Sequence, residues 1–238
     1  MMSKVIPAAG VILLHQREVD TEFRVLLLKR HPELRVHGGH WVFPGGKFDA
    51  EDYRDLDLSP SAIDIRNPPE LSLDAYLRVA RQAALRELQE EAGIIPDKQS
   101  LIYHSRWLTP AALKKRFDTC FFIAETTETN VIVDGSEIID YQWLTPSENL
   151  ALHEQGKIAM PPATYVTLVH LSRFTDAKTA IESLSQRPAS YRPKLISTSQ
   201  GMCSLYEEDA GYENEDYLAE GKRHRLNMIA GGFEYICD

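Results

Sequence analysis

Arg86-Glu87-Leu88-Gln89-Glu90-Glu91-Ala92-Gly93-Ile94 sets three carboxylates within five residues, at the end of an apolar-periodic segment. On a helix, Glu87, Glu90 and Glu91 stand at i, i+3 and i+4 and share one face. Like charges at that spacing repel by about 0.2–0.5 kcal/mol per pair, so helix stability alone disfavours them. A hard divalent cation removes the conflict, because Mg²⁺, Mn²⁺ or Ca²⁺ prefers clustered carboxylate oxygens. A solvated acidic helix face would show the same triplet, and the flanks separate the two readings. Arg86 can pair with Glu90 four residues on, and Gly93 supplies a helix stop directly after the cluster.

Upstream, Trp41-Val42-Phe43-Pro44-Gly45-Gly46-Lys47-Phe48-Asp49 reads as a short strand that turns sharply at Pro-Gly-Gly. Glycines there permit close backbone approaches that side chains forbid. Together the two segments resemble the box of the Nudix hydrolases: Gly, five residues, Glu, seven residues, then Arg-Glu-apolar-x-Glu-Glu-x-Gly-apolar. Gly46 matches the opening glycine, and Arg86 to Ile94 matches the closing half without a mismatch. Two departures stand out. Asp52 replaces the first Glu with a shorter carboxylate, and 33 residues separate it from Arg86 where the box has seven. The insert, about residues 53–77, reads as an ordered surface excursion, expected to shape the substrate pocket or a homodimer contact. The helix is expected to begin near Ser72 as N-cap, with Asp74 in its first turn.

The rest of the chain reads as mixed α/β. Strands are expected at Ala8–Leu14, Phe23–Lys29, Trp41–Phe43, Leu101–Trp107, Arg116–Ala124 and Ile138–Leu144. Thr145-Pro146-Ser147-Glu148 carries a capping box with Pro at the first helical position, and Gly156 closes that helix. Pro161-Pro162 opens another through about Phe174, with a further helical stretch to about Gln186. In the tail, Pro193–Leu205 is expected to include a strand that Arg225–Ile236 can pair with. Between them Glu207, Glu208, Asp209, Glu213, Glu215, Asp216 and Glu220 fit no calcium-loop spacing and read as a solvated acidic loop. The resemblance implies a Nudix-type α/β/α sandwich with a mixed sheet, an insertion in the box and a C-terminal extension. The expected division is a Nudix domain over residues 1–175 and an extension over 176–238 packed on the same domain.

The chain has 238 residues, 43% of them hydrophobic, and a formal net charge of −9. That balance argues against nucleic acid, whose phosphates need a basic face. No uninterrupted apolar span of about 18 residues argues for a membrane helix. The apolar run Ala8–Leu14 reads as a first strand rather than a signal peptide. Cys120, Cys203 and Cys237 form no CxxC pair, which argues against a zinc knuckle or a disulfide framework. A reduced, cytoplasmic setting is expected. Residues 24–47 run against the overall charge: Arg24, Lys29, Arg30, Arg35 and Lys47, with His31, His37 and His40, face only Glu33 among the acids. A basic pocket in an acidic protein suits a small polyanion rather than a polymer.

The resemblance implies a divalent-metal-dependent hydrolase of a nucleoside diphosphate linked to another moiety. Glu87, Glu90, Glu91 and Asp52, with Gly46, are then the metal site, for Mg²⁺ or Mn²⁺. Glu87, Glu90 and Arg86 are the catalytic candidates in the box. Glu137, in Asp134-Gly135-Ser136-Glu137 just before a strand, is a candidate later carboxylate that binds metal or activates water. Arg35, Gly39, Phe43, Pro44, Gly45 and Gly46 match in spacing a signature of the coenzyme A diphosphatase branch, Arg-x-x-x-Gly-x-x-x-Phe-Pro-Gly-Gly. The preceding half of that signature is matched only in part by Leu26-Leu27-Leu28-Lys29-Arg30. Arg30, Arg35 and Lys47 are the substrate-binding candidates. The substrate expected is coenzyme A or an acyl derivative. An ADP-ribose or dinucleotide pyrophosphatase needs the same box, and a catalytically silent Nudix-fold regulatory module would have lost a box glutamate.

Overall fold

The computed structural model describes residues 4–56 and 69–238. Strand β1 (Val5–His15) is a nearly unbroken apolar run, the pattern of a strand buried on both faces. Its alternation sends Ala9, Val11 and Leu13 into one core cluster and Ile12 and Leu14 into the other. Strand β2 (Arg24–Arg30) divides in the same way, Leu26 and Leu28 against Val25 and Leu27.

Strands β3 (Trp41–Val42) and β4 (Gly45–Lys47) follow, then a 3-10 turn at Ala50–Leu56. The expected excursion over 53–77 falls partly on residues 57–68, which lie outside the described residues. Helix α1 (Leu73–Ala92) starts at the Ser72 cap, whose side chain accepts from Ala75 N–H, and stops at Gly93 with φ 71°. The Pro-Gly-Gly segment does more than turn. Gly45 to Lys47 pair antiparallel with Gly10 to Ala8, and a Cβ on Gly45 would lie 2.5 Å from the Ala9 carbonyl oxygen.

Strands β5 (Ile102–Leu108), β6 (Arg116–Glu125) and β7 (Ile138–Leu144) complete the middle of the chain. Helix α2 (Pro146–Glu154) carries the complete capping box between Thr145 and Glu148. Helix α3 (Pro162–Leu171) ends three residues short of Phe174, and α4 (Ala177–Ser185) restarts at an Asp176 cap. Strand β8 (Ala189–Tyr191) then joins the edge of the main sheet.

The main sheet has eight strands in the order β3-β2-β1-β6-β5-β8, with β4 on β1 and β7 on β2. β1 runs parallel to β6 and β5 to β8, and the other pairs are antiparallel. One face packs on α1 through Val79, Ala80, Ala83, Ala84 and Leu88. The other packs on α3 and α4 through Val166, Leu168, Leu171, Ala180 and Ile181. The result is an α/β sandwich around a mixed sheet. No helix among the described residues is long and apolar enough to cross a membrane.

Each tail stretch expected to hold one strand forms a hairpin. β9 (Lys194–Thr198) turns into β10 (Gly201–Leu205), and β11 (His224–Ile229) into β12 (Gly232–Cys237), with β10 paired to β11. Tyr206 and Leu226 enter the core cluster that holds α3 and α4. The acidic segment between the hairpins is not uniformly solvated. Asp209 is 5% exposed and takes a two-pronged bond from Arg225, at 2.7 and 2.6 Å, plus the N–H groups of His224 and Gly211. Burial pushes the Asp209 carboxyl up, but Arg225 and the backbone donors outweigh it and bring the pKa down to about 2.

Arg225→Met should leave that carboxylate buried without its partner and cost about 3–5 kcal/mol in denaturant unfolding. A carboxyl lowered by folding contributes stability that is complete above its unfolded pKa. The wild-type contribution should therefore fade as pH drops from about 4 to about 2, and the variant should lack most of that slope.

Candidate active site

Arg86 is the centre of the acidic cluster. Its Nε and Nη2 donate to the two oxygens of Asp52, both at 3.1 Å, and Nη2 also donates to the Lys47 carbonyl at 2.8 Å. Its Nη1 donates to Glu87 at 2.9 Å and to Glu90 at 3.1 Å. All five guanidinium N–H groups thereby have acceptors. Asp52 itself is 3% exposed and also accepts the Asp49 N–H at 2.6 Å. Both its oxygens are engaged, so a direct ligand role for Asp52 would cost these bonds.

The three glutamates of α1 have graded exposure. Glu91 is buried, Glu87 is intermediate and Glu90 is exposed. Glu91 accepts the Gly45 N–H at 2.8 Å, which ties β4 to the helix. Burial pushes the Glu91 carboxyl up to about 8; the Gly45 N–H pulls it down, and the charge of Glu87 pushes it further up. Glu87 is raised too, first by burial, with Arg86 opposing. Gly46 faces Glu87 so closely that a Cβ would collide with its carboxylate.

A second guanidinium closes the other side. Arg30, at the end of β2, points Nη1 at Glu91 (3.7 Å) and Nη2 at Glu137 (3.6 Å). The β2–β7 pairing, with Arg30 opposite Ile138, brings Glu137 here. The preceding turn is built by Asp134, whose carboxylate accepts from Ser136, Glu137 and Ile138 N–H, and the Glu137 carbonyl accepts the His31 N–H at 2.7 Å. Lys47 contributes its carbonyl while its side chain is exposed. Arg35 is exposed on the loop between β2 and β3, outside this network. That loop is closed by bonds from Gly39 N–H to the Arg30 carbonyl and from Arg30 N–H to the His40 carbonyl.

The structure thus gathers Gly46, Asp52, Arg86, Glu87, Glu90, Glu91, Arg30 and Glu137 in one place. Among the described residues, no group of three or more His, Cys, Asp or Glu side chains is arranged to hold a metal ion. The donor set still suits a hard divalent cation. Its side-chain acceptors are carboxylate oxygens, burial disfavours the charged form of Glu91 in a way a bound cation would offset, and the place beside Glu87 is kept open by the missing side chain of Gly46. Sequence reasoning did not anticipate the Arg30 bridge or the Gly45–Glu91 bond, because both depend on strand register.

Comparison with known proteins bears on the part of this site that comes from α1 and the segment before β7. The family model described as the NUDT19 Nudix domain matches residues 69–171. Acyl-coenzyme A diphosphatase NUDT19 of Homo sapiens is 25% identical over 82% of this chain and 74% of its own length. Putative nudix hydrolase 7 of Caenorhabditis elegans is 27% identical, over 71% of this chain and 61% of that protein. The crystal structure of a NUDIX hydrolase from Alicyclobacillus acidocaldarius superposes with a TM-score of 0.65 at 21% identity, covering 79% of this chain and 100% of that one. That last likeness shows the fold.

Gly46→Ala should drive β4 and the Glu87 side chain apart. The expected result is a loss of about 1–3 kcal/mol in thermal unfolding together with weaker divalent-ion binding by calorimetry. Unchanged stability and unchanged ion binding would show that Gly46 is not needed for close packing.

Proposed function

Since this chain belongs to the Nudix hydrolase family and resembles its coenzyme A diphosphatase branch, we propose that it hydrolyses the diphosphate bond of coenzyme A or acyl-coenzyme A. The products are 3′,5′-ADP and 4′-phosphopantetheine or its acyl derivative. The observation that carries this reading is the convergence of Glu87, Glu90 and Glu91 with Glu137 around two guanidinium groups. The human relative named an acyl-coenzyme A diphosphatase supports the substrate class.

In this proposal Glu87, Glu90 and Glu91 hold Mg²⁺ or Mn²⁺, and Asp52 serves the site through Arg86. When bound, the ion supplies charge neutralisation at the phosphate oxygens and a lowered pKa for water. The remaining work belongs to the chain. Hydrolysis bonds a water oxygen to phosphorus and breaks one bridging P–O bond, and a carboxylate takes the water's proton. Glu90 and Glu137, 60% and 63% exposed, are the carboxylates open to that role. Arg86 fixes Glu87 and Glu90 in advance, so little reorganisation is needed at the moment of reaction. Arg30, Arg35 and Lys47 supply positive charge for the substrate's phosphates, the 3′-phosphate included. The protein is proposed to act on this small molecule in the cytoplasm.

Glu90→Gln and Glu91→Gln should each cut turnover at least about a hundredfold with the fold intact by circular dichroism. Near-normal turnover of both variants at saturating Mg²⁺ would defeat the metal site.

Incubation with coenzyme A and Mg²⁺ or Mn²⁺ should release 4′-phosphopantetheine and 3′,5′-ADP, identified by mass spectrometry. Arg35→Ala should lower kcat/KM for coenzyme A by about 1.5–3 kcal/mol, and by less for dephospho-coenzyme A if Arg35 meets the 3′-phosphate. A tenfold or greater preference for ADP-ribose or NADH would move the assignment to a dinucleotide pyrophosphatase.

A further inference from the structure

Arg30 does not behave as a surface cation. It ends a buried strand, its side chain is 16% exposed, and its guanidinium lies between two carboxylates that come from different elements, Glu91 of α1 and Glu137 ahead of β7. Neither contact is a well-formed hydrogen bond: the distances are 3.7 and 3.6 Å, beyond the usual range for charged donors and acceptors. The Nε–H is buried and has no hydrogen-bond partner among the described residues. Arg86 is the contrast, with each of its N–H groups bonded to a named acceptor. One guanidinium of this site is locked, and the other is held by charge alone.

A cation held by charge alone, beside a buried carboxylate, can be displaced by a stronger one. We propose that Arg30 is the built-in counter-cation of the site, neutralising Glu91 and Glu137 until a divalent ion competes with it for Glu91. This rests on the metal-binding reading proposed above for Glu87, Glu90 and Glu91. It gives Arg30 a positioning role: it keeps two repelling carboxylates compatible with the folded chain when no ion is present, and so sets a threshold for ion binding. A divalent ion carries twice the charge and accepts several oxygens at once, which the loosely held guanidinium does not match.

Calorimetric titration of the full chain with Mg²⁺ at pH 9, where protons compete little for the carboxylates, tests this without reference to turnover. Arg30→Gln should bind Mg²⁺ at least about fivefold more tightly than wild type, because the competitor is gone. The same variant should melt at a lower temperature than wild type without metal and gain more on adding Mg²⁺. Arg24→Gln removes the same charge from the far end of the same strand, about 20 Å away at the usual rise per residue, and should change the affinity less than about twofold. If Arg30→Gln does not fold, Arg30→Lys, which keeps a charge but loses the planar fork, should shift the affinity in the same direction by a smaller factor. Unchanged or weaker Mg²⁺ binding in the Arg30 variant, or equal tightening by Arg24→Gln, overturns the proposal while leaving the metal site standing. Failure of wild type itself to bind Mg²⁺ overturns both.

Discussion

The five-donor arrangement of Arg86 is the constraint on which the rest of the site depends. One planar group ties the 3-10 turn through Asp52, strand β4 through the Lys47 carbonyl, and helix α1 through Glu87 and Glu90. Its rigid fork lets these segments share a single orientation, which a flexible ammonium could not impose. The short carboxylate of Asp52 makes the two-pronged bond from a turn packed directly against the helix, with Tyr53 beside it in the same core. The long separation from Asp52 to Arg86 in sequence therefore leaves their contact intact.

Around this hub the main sheet supplies rigidity. β1 is buried on both faces and pairs with β2, β4 and β6, so it fixes the floor beneath Gly45 and Gly46. The absence of side chains at those two positions lets β4 lie flat on β1 and under Glu87 at once. The C-terminal hairpins act elsewhere: they extend the core on the α3 and α4 side, with Tyr165 donating to the Phe233 carbonyl and His170 bonded to Tyr235. Their own buried ion pair, Asp209 with Arg225, is satisfied on both partners, and Arg225 also donates to the Tyr217 carbonyl.

The electrostatics of the site turn on one buried carboxylate set beside a guanidinium. The negative charge of the site is concentrated on α1 and at Glu137, and of the basic residues in 24–47 it is Arg30 whose guanidinium reaches both Glu91 and Glu137. Burial makes the Glu91 charge costly unless a cation is near, and the Arg30 guanidinium lies 3.7 Å away.

The local elements were legible because short-range chemistry decides them. The glutamate spacing, the Ser72 and Thr145 caps, the Gly93 stop and the apolar strand runs each depend on neighbours a few residues apart, and each appears where the sequence places it. The sequence by itself thus determined the acidic helix and its association with the glycine segment. Tertiary structure alone decided what those acids touch. Which strand lies beside β2 sets Glu137 against Arg30, and the packing of the 3-10 turn on α1 gives Asp52 to Arg86. The fate of Asp209 was hidden for the same reason: an acid inside an acidic run looks solvated until a partner sixteen residues away is folded onto it. Charge pairing across strands depends on register and burial, and neither is written in the spacing of one segment.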